Sequence, residues 1–367
     1  MTVSNRAFNF SAGPAAMPTA VLERAQAELL NWQGLGVSVM ESSHRGADFM
    51  EVVERSETNV RALLNIPDNY RVLFMAGGAT HQFTAIPFNL LGENQSADLL
   101  NSGHWSAKCL KEMRRYGAIN EVACWDKGDT YTLPDPSSWA LNCDAAFFHC
   151  TPNETISGLE LHSLPEVGDV PIIADMSSTI MSRPIDVSQY GMIYAGAQKN
   201  IGPSGLTLVI IRDDLLGRAR ALTPTLFNYQ HTAETRSLSN TPPTFAWYLA
   251  DLVFQWLLEQ GGLAVMAERN RVKAETLYRC LDESAAYVNR VDPKYRSWMN
   301  VSFEINGADQ SPEFNQRFLK AANEAGLLNL KGHSSVGGMR ASIYNAVTQE
   351  TVDALVEFLK HFEKEEM

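Results

Sequence analysis

The sequence predicts an α/β fold: a large domain whose mostly parallel central sheet is covered by helices, followed by a smaller α+β C-terminal domain. Three observations lead there. From Val72 onward, short and nearly continuous apolar runs alternate with helical periodicity, as strands buried on both faces of a parallel sheet require. After Ile211 the rhythm changes to long helices with isolated strands. The chain has 367 residues, 45% of them hydrophobic, which exceeds the size at which a single core usually stops growing.

The elements follow in order. A first helix is expected where Leu22, Ala25, Leu29 and Trp32 recur at helical spacing, with Pro18 near its first turn. A second, from about Asp48 to Leu64, leads into the run Val72 to Met75 and then Gly77-Gly78. Ala97 to Leu100, Asn120 to Cys124, Ala145 to Cys150, Pro171 to Ala174, Met192 to Ala195 and Leu206 to Ile211 read as strands. Helices are then expected over about Thr244 to Leu258 and Leu263 to Leu281, a strand near Asn300 to Phe303, and a helix from about Pro312 to Ala325. A glycine-rich loop, a strand-like Arg340 to Tyr344 and a closing helix with Val352, Leu355, Leu359 and Phe362 on one face complete the chain. The boundary falls near Gly261-Gly262, so that 16–262 form the large domain and 1–15 with 263–367 the small one.

Charge narrows the function. With 30 basic against 42 acidic side chains, net −12, nucleic acid and anionic membrane are poor partners, because both require a concentrated basic surface. A local basic pocket for a small anion is still allowed. Met1 to Asn9 carry no apolar or basic run, which predicts a cytoplasmic protein. The apolar stretch Phe245 to Leu258 contains Asp251 and Gln255 and is shorter than a bilayer span, so it reads as a buried helix. Five cysteines without a Cys-x-x-Cys pair and eight scattered histidines suggest neither disulfides nor a metal site.

In an open α/β sheet, ligands collect at the carboxyl ends of strands. Ala76-Gly77-Gly78-Ala79-Thr80 is a small-residue turn into a helix, able to hold a phosphate or to bind nothing. Asp175 ends an apolar strand and reads as a helix cap unless a cation is supplied. Lys199, set in Gly196-Ala197-Gln198-Lys199-Asn200-Ile201-Gly202-Pro203, is either an exposed loop lysine or a buried amine with lowered pKa, the kind that makes Schiff bases. Taken together and in this order, the three suit a pyridoxal phosphate site, which needs an amine, an acid for the pyridine nitrogen and a phosphate cradle.

The segments Phe8-Asn9-Phe10-Ser11-Ala12-Gly13-Pro14, Ser43-His44-Arg45-Gly46, Pro152-Asn153-Glu154-Thr155, Ala195-Gly196-Ala197-Gln198-Lys199-Asn200, Asn240-Thr241-Pro242-Pro243-Thr244 and Gly337-Gly338-Met339-Arg340-Ala341-Ser342 resemble the phosphoserine aminotransferases, nearly end to end. The resemblance implies a class-V, fold-type I pyridoxal 5′-phosphate transaminase, working as a homodimer with shared active sites in the route to serine. It implies Lys199 as the Schiff-base lysine, Asp175 as partner of the pyridine nitrogen, Trp105 stacked on the ring and Thr155 on its phenolic oxygen. The phosphate would be held by Ala79, Thr80 and Gln198, with Asn240 and Thr241 from the second subunit. On the substrate side, Arg340 would clamp the α-carboxylate of glutamate or of a phosphorylated 2-oxo acid. His333, with His44 and Arg45 of the neighbouring subunit, would receive the distal anion. The same resemblance implies the 4-phosphohydroxy-L-threonine step of pyridoxine synthesis as a second activity. One departure stands out: the family usually places arginine after this histidine, whereas the chain has Ser334. A charge-assisted bond to phosphate is worth about 1.5–3 kcal/mol, so its loss weakens the phosphorylated substrate roughly tenfold unless Lys331 or another basic group compensates.

Two rival readings have specific signatures. A cysteine desulfurase needs a mobile loop cysteine after the lysine, but the only later one, Cys280, lies in a helical pattern. A transcription regulator on the same core would carry a long basic helix-turn-helix extension, whereas the Asn9-Phe10-Ser11 motif arrives almost at once.

Overall fold

A computed structural model of the chain describes residues 6–306 and 312–366. Of the stretch Met1 to Asn9, read above as leaderless, residues 1–5 lie outside the described residues. The centre is a seven-stranded sheet in the order 70–75, 207–212, 192–196, 172–175, 148–150, 96–101 and 118–124. Every neighbouring pair is parallel except those made by Thr207–Arg212, which runs against both Met192–Gly196 and Tyr70–Met75. Sequence pattern found this strand but not its direction. The connection Ala197 to Leu206 is too short for a crossover helix, so the chain must return antiparallel.

The apolar runs form strands because the sheet is covered on both sides. Helices Ala47–Leu64 and Thr244–Glu259 pack on one face, where Trp247 meets Phe49 edge-on at 6.0 Å. Helices Gly78–Leu90 and His104–Met113 cover the other with Phe83, Ile86, Cys109 and Met113. The buried helix expected from Phe245 onward is present, and its Asp251 is wholly buried against Arg55 at 2.7 Å, with Gln255 donating at 2.8 Å.

The first helix needs correction. It spans only Thr19–Glu28 and buries Val21 and Ala25, while Leu29 lies partly exposed and Trp32 belongs to a separate 3-10 turn, Trp32–Gly34. The reason is local: Gln33, Gly34 and Gly36 adopt positive φ, and the Asn31 side chain accepts from the Gly36 N–H at 2.7 Å, so Trp32 reaches the core from a loop.

Toward the C-terminus, Tyr287–Val288, Asn300–Ile305 and Met339–Ser342 form an antiparallel sheet. Helices Gly262–Glu283, Pro312–Glu324 and Gln349–Glu366 back it. Val352, Leu355, Leu359 and Phe362 of the last helix are all buried there. Phe10 joins the same apolar cluster, because Phe8–Asn9 pairs in parallel with Leu327–Leu328. From that anchor the N-terminal segment runs back to the main sheet. Among the described residues no helix is long and apolar enough to cross a membrane.

Candidate active site

Six strands run in parallel, so the turns after them collect at one end of the sheet and enclose a cavity of about 390 Å³. The first wall is the turn into helix Gly78–Leu90. Gly77 is left-handed (φ 94°), and a Cβ there would lie 2.6 Å from the His81 Cβ, so only glycine serves. The amides of Gly78, Ala79 and Thr80 in the first turn have no intrahelical acceptor and, with the helix dipole, favour an anion.

Asp175 sits at the end of its strand, 5% exposed. Ser177 donates to its Oδ1 twice, from the backbone N–H at 3.0 Å and the hydroxyl at 2.6 Å, and Gly196 N–H donates to that hydroxyl oxygen at 3.0 Å. Both bonds land on Oδ1, leaving Oδ2 for a cation. Burial pushes this carboxyl up from its ordinary value, against the pull of Ser177 and Lys199. Lys199 is half-buried, and desolvation lowers its pKa to about 8 in spite of Asp175 and Glu154, with Arg340 adding to the fall. Its Nζ donates to Thr155 Oγ1 at 2.7 Å and lies 6.0 Å from the centre of the Trp105 ring.

Trp105 occupies the first turn of helix His104–Met113, and Glu154, fully buried, holds it there. The Glu154 carboxylate accepts from Trp105 N–H at 2.9 Å, from Ser106 N–H at 2.8 Å and from the Ser106 hydroxyl at 2.7 Å. It thus caps a helix whose own N-cap, Gly103, has no side chain to do so; a Cβ at Gly103 would meet that carboxyl at 2.6 Å. The Trp105 indole N–H is buried without a partner among the described residues.

On the far wall Arg340 donates to Thr155 O at 3.4 Å, and among the described residues no carboxylate pairs with it, so this half-buried guanidinium can take a substrate carboxylate. His333 Nδ1 accepts from the Ser335 N–H at 3.2 Å, with Ser335 Oγ at 2.7 Å, so the proton of the neutral ring sits on Nε2.

Ala79, Thr80, Trp105, Thr155, Asp175, Gln198, Lys199, His333 and Arg340 all line this one cavity. His44, Arg45, Asn240 and Thr241 do not; Asn240 lines a neighbouring depression with His81 and Phe227. His44 Nε2 is buried without a partner among the described residues. Sequence reasoning missed Ser177, Glu154 and Gly13, where an added Cβ would lie 3.8 Å from the Lys199 side chain. Glu154 and Gly13 lay inside quoted motifs, but neither spacing nor periodicity showed what they touch. The residues fit pyridoxal phosphate: an anion-ready helix start, an indole lining the cavity, a clamped carboxylate and a lysine of lowered pKa share one space.

A family profile described as aminotransferase class-V matches residues 7–355. The chain belongs to this family. Within the class-V aminotransferases it is 54% identical over 363 residues to the phosphoserine aminotransferase of Pseudomonas aeruginosa PAO1, covering 99% of each chain. It is 56% identical over 363 residues to that of Pseudomonas syringae pv. syringae B728a, again over 99% of both. Among solved structures, the phosphoserine aminotransferase from Bacillus circulans subsp. alkalophilus superimposes with a TM-score of 0.94 at 46% identity, over 98% of this chain and 99% of the other. A pyridoxal phosphate-bound phosphoserine aminotransferase from Trichomonas vaginalis gives 0.93 at 43% identity, over 97% of this chain and 100% of the other. As in those class-V aminotransferases, the fold is α/β with a mostly parallel central sheet between helices.

Proposed function

We propose that this chain is a phosphoserine aminotransferase, transferring an amino group between L-glutamate and 3-phosphohydroxypyruvate to give O-phospho-L-serine and 2-oxoglutarate. One observation carries the reading: a lysine with pKa about 8 and a Ser177-clamped carboxylate open into the same cavity as an unpaired guanidinium. Pyridoxal 5′-phosphate, held by Lys199, supplies the electron sink that stabilises negative charge at the substrate Cα.

The chain's own residues do the rest. With the cofactor bound, Asp175 would hold its ring nitrogen cationic, Trp105 would stack on the ring, and Thr155 would donate to the phenolic oxygen. Ala79, Thr80 and Gln198 would bind its phosphate, completed by the partner subunit's Asn240 and Thr241. Because its amine titrates near working pH, Lys199 is the group able to take and return a proton at Cα. Arg340 orients the α-carboxylate; His333 and the partner subunit's His44 and Arg45 bind the distal carboxylate or phosphate in turn.

A homodimer is supported by the exposed apolar side chains that precede His44 and Arg45 in the sequence. Leu30 is 84% exposed and Met40 53%, with Leu35 and Val37 beside them in sequence, an apolar group that an isologous interface would bury. We further propose a cytoplasmic enzyme divided into the domains 16–262 and 1–15 with 263–367. It would also accept the four-carbon phosphorylated hydroxy-keto acid, since the site grips both anionic ends of its substrate.

Mixing tests both activity and shared sites. Lys199→Ala and Arg45→Ala should each abolish or sharply reduce phosphoserine formation. Mixed and allowed to exchange subunits, they should regain about a quarter of wild-type activity, because half the dimers then hold one intact site. No recovery would refute the shared site, and undiminished activity of Lys199→Ala would refute the assignment of the lysine.

A further inference from the structure

We propose that Lys108 is the cationic counter-charge of the cofactor's phosphate; the proposal rests on the pyridoxal phosphate reading above. The cradle from Gly77 to Thr80, with Gln198, offers amides, a hydroxyl and a carboxamide, all neutral. A phosphate monoester carries close to two negative charges at neutral pH. Among the described residues, the side chains lining the cavity that can carry a positive charge are Lys199, Arg340 and His333, and each has another task. His81, next to the cradle, is pushed toward its neutral form by burial, its ring tilted against Phe227 with centroids 4.2 Å apart and bonded to Gln82.

Lys108 stands on helix His104–Met113, one turn beyond Trp105. Its Nζ lies 3.5 Å from Thr80 Oγ1 and 5.2 Å from the centre of the Trp105 ring. Among the described residues no carboxylate pairs with it. Glu112, one turn further on, is engaged instead by Arg115 at 3.1 Å, Tyr116 at 2.8 Å and Thr84 at 3.3 Å. The ammonium is thus held by the residue that would stack on the cofactor ring and the residue that would hold its phosphate. With Lys108 donating to Thr80 Oγ1, the threonine proton is turned outward to a phosphate oxygen, so charge and hydroxyl act together.

The holoenzyme, stripped of cofactor, is retitrated with pyridoxal phosphate and with pyridoxal, which lacks the phosphate. Lys108→Gln should raise the dissociation constant for pyridoxal phosphate about tenfold and leave that for pyridoxal unchanged. Lys108→Arg should restore most of the loss, and the wild-type preference for the phosphorylated form should shrink with added salt. Equal losses for both ligands would mean that Lys108 acts through Trp105, and an unchanged Lys108→Gln would mean that it does not act at all; either overturns the proposal. If the wild-type protein itself binds neither compound, the cofactor reading fails first. Should Lys108→Gln not survive stripping, the ³¹P resonance of its holoenzyme replaces the titration: a phosphate pKa raised relative to wild type is expected, and an identical one refutes the role.

Discussion

Replacing Lys199 by methionine should make the cofactor-free protein more stable at neutral pH while abolishing turnover. Lys199 is a cation held where its neutral form is favoured, with a pKa near 8 against an ordinary value of 10.5. Below pH 8 both folded and unfolded chains carry the proton, and the folded state bears the full penalty. Between about 8 and 10.5 the unfolded chain binds more protons than the folded one, so stability rises with pH; above that interval the penalty is gone. The gap, at about 1.4 kcal/mol per pH unit, sets a ceiling of about 3 kcal/mol. Half-burial and the lost bond to Thr155 reduce the net gain to about 1–2 kcal/mol. Urea denaturation of both cofactor-free proteins at pH 7 and pH 10.5 measures it. The variant should unfold at higher urea at pH 7, with the difference closing at high pH. A less stable variant at pH 7, or a difference independent of pH, would refute the assignment of strain to this lysine.

Two other changes have defined outcomes. Lys273 is 2% exposed, and its Nζ donates to the carbonyls of Ile343 at 3.0 Å, Tyr344 at 2.8 Å and Val347 at 2.9 Å. Lys273→Met strands three acceptors, and although burial lowers the pKa of this amine to about 7 and so offsets part of the loss, the protein should be destabilised by about 1–3 kcal/mol in thermal or urea unfolding; a more stable variant would show that relief of the buried charge outweighs the three bonds. At the cavity mouth, Ser334 is exposed beside His333, whose ring lies 5.2 Å from that of His104. Ser334→Arg should lower the apparent Michaelis constant for 3-phosphohydroxypyruvate up to about tenfold with little change for glutamate; an unchanged constant would mean that an added cation at this position does not reach the distal phosphate.

Much of the site was legible because its chemistry demands rare residue types at strand ends. Asp175 and Lys199 stand out as charges interrupting apolar runs, and Gly77-Gly78 as a break between strand and helix. What holds them was not legible. Ser177 is one serine in a run of three hydroxyl residues, and only the fold shows its two bonds to Asp175. Glu154 lies 49 positions from Trp105 and 48 from Ser106, a separation no periodicity connects. Lys108 looks like an ordinary solvated helix lysine until helix and cradle are brought together.

Local pattern alone determined the α/β class, the run of strands and the chemistry at their ends, because burial on both faces selects unbroken apolar segments and punctuates them with glycine and charge. The reversal of Thr207–Arg212, the release of Trp32 from the first helix and the buried bonds of Glu154 and Lys273 were decided only when the chain closed on itself. The physical reason is that a hydrogen bond between residues far apart in sequence has no local signature; its partners meet only once packing has excluded water from both.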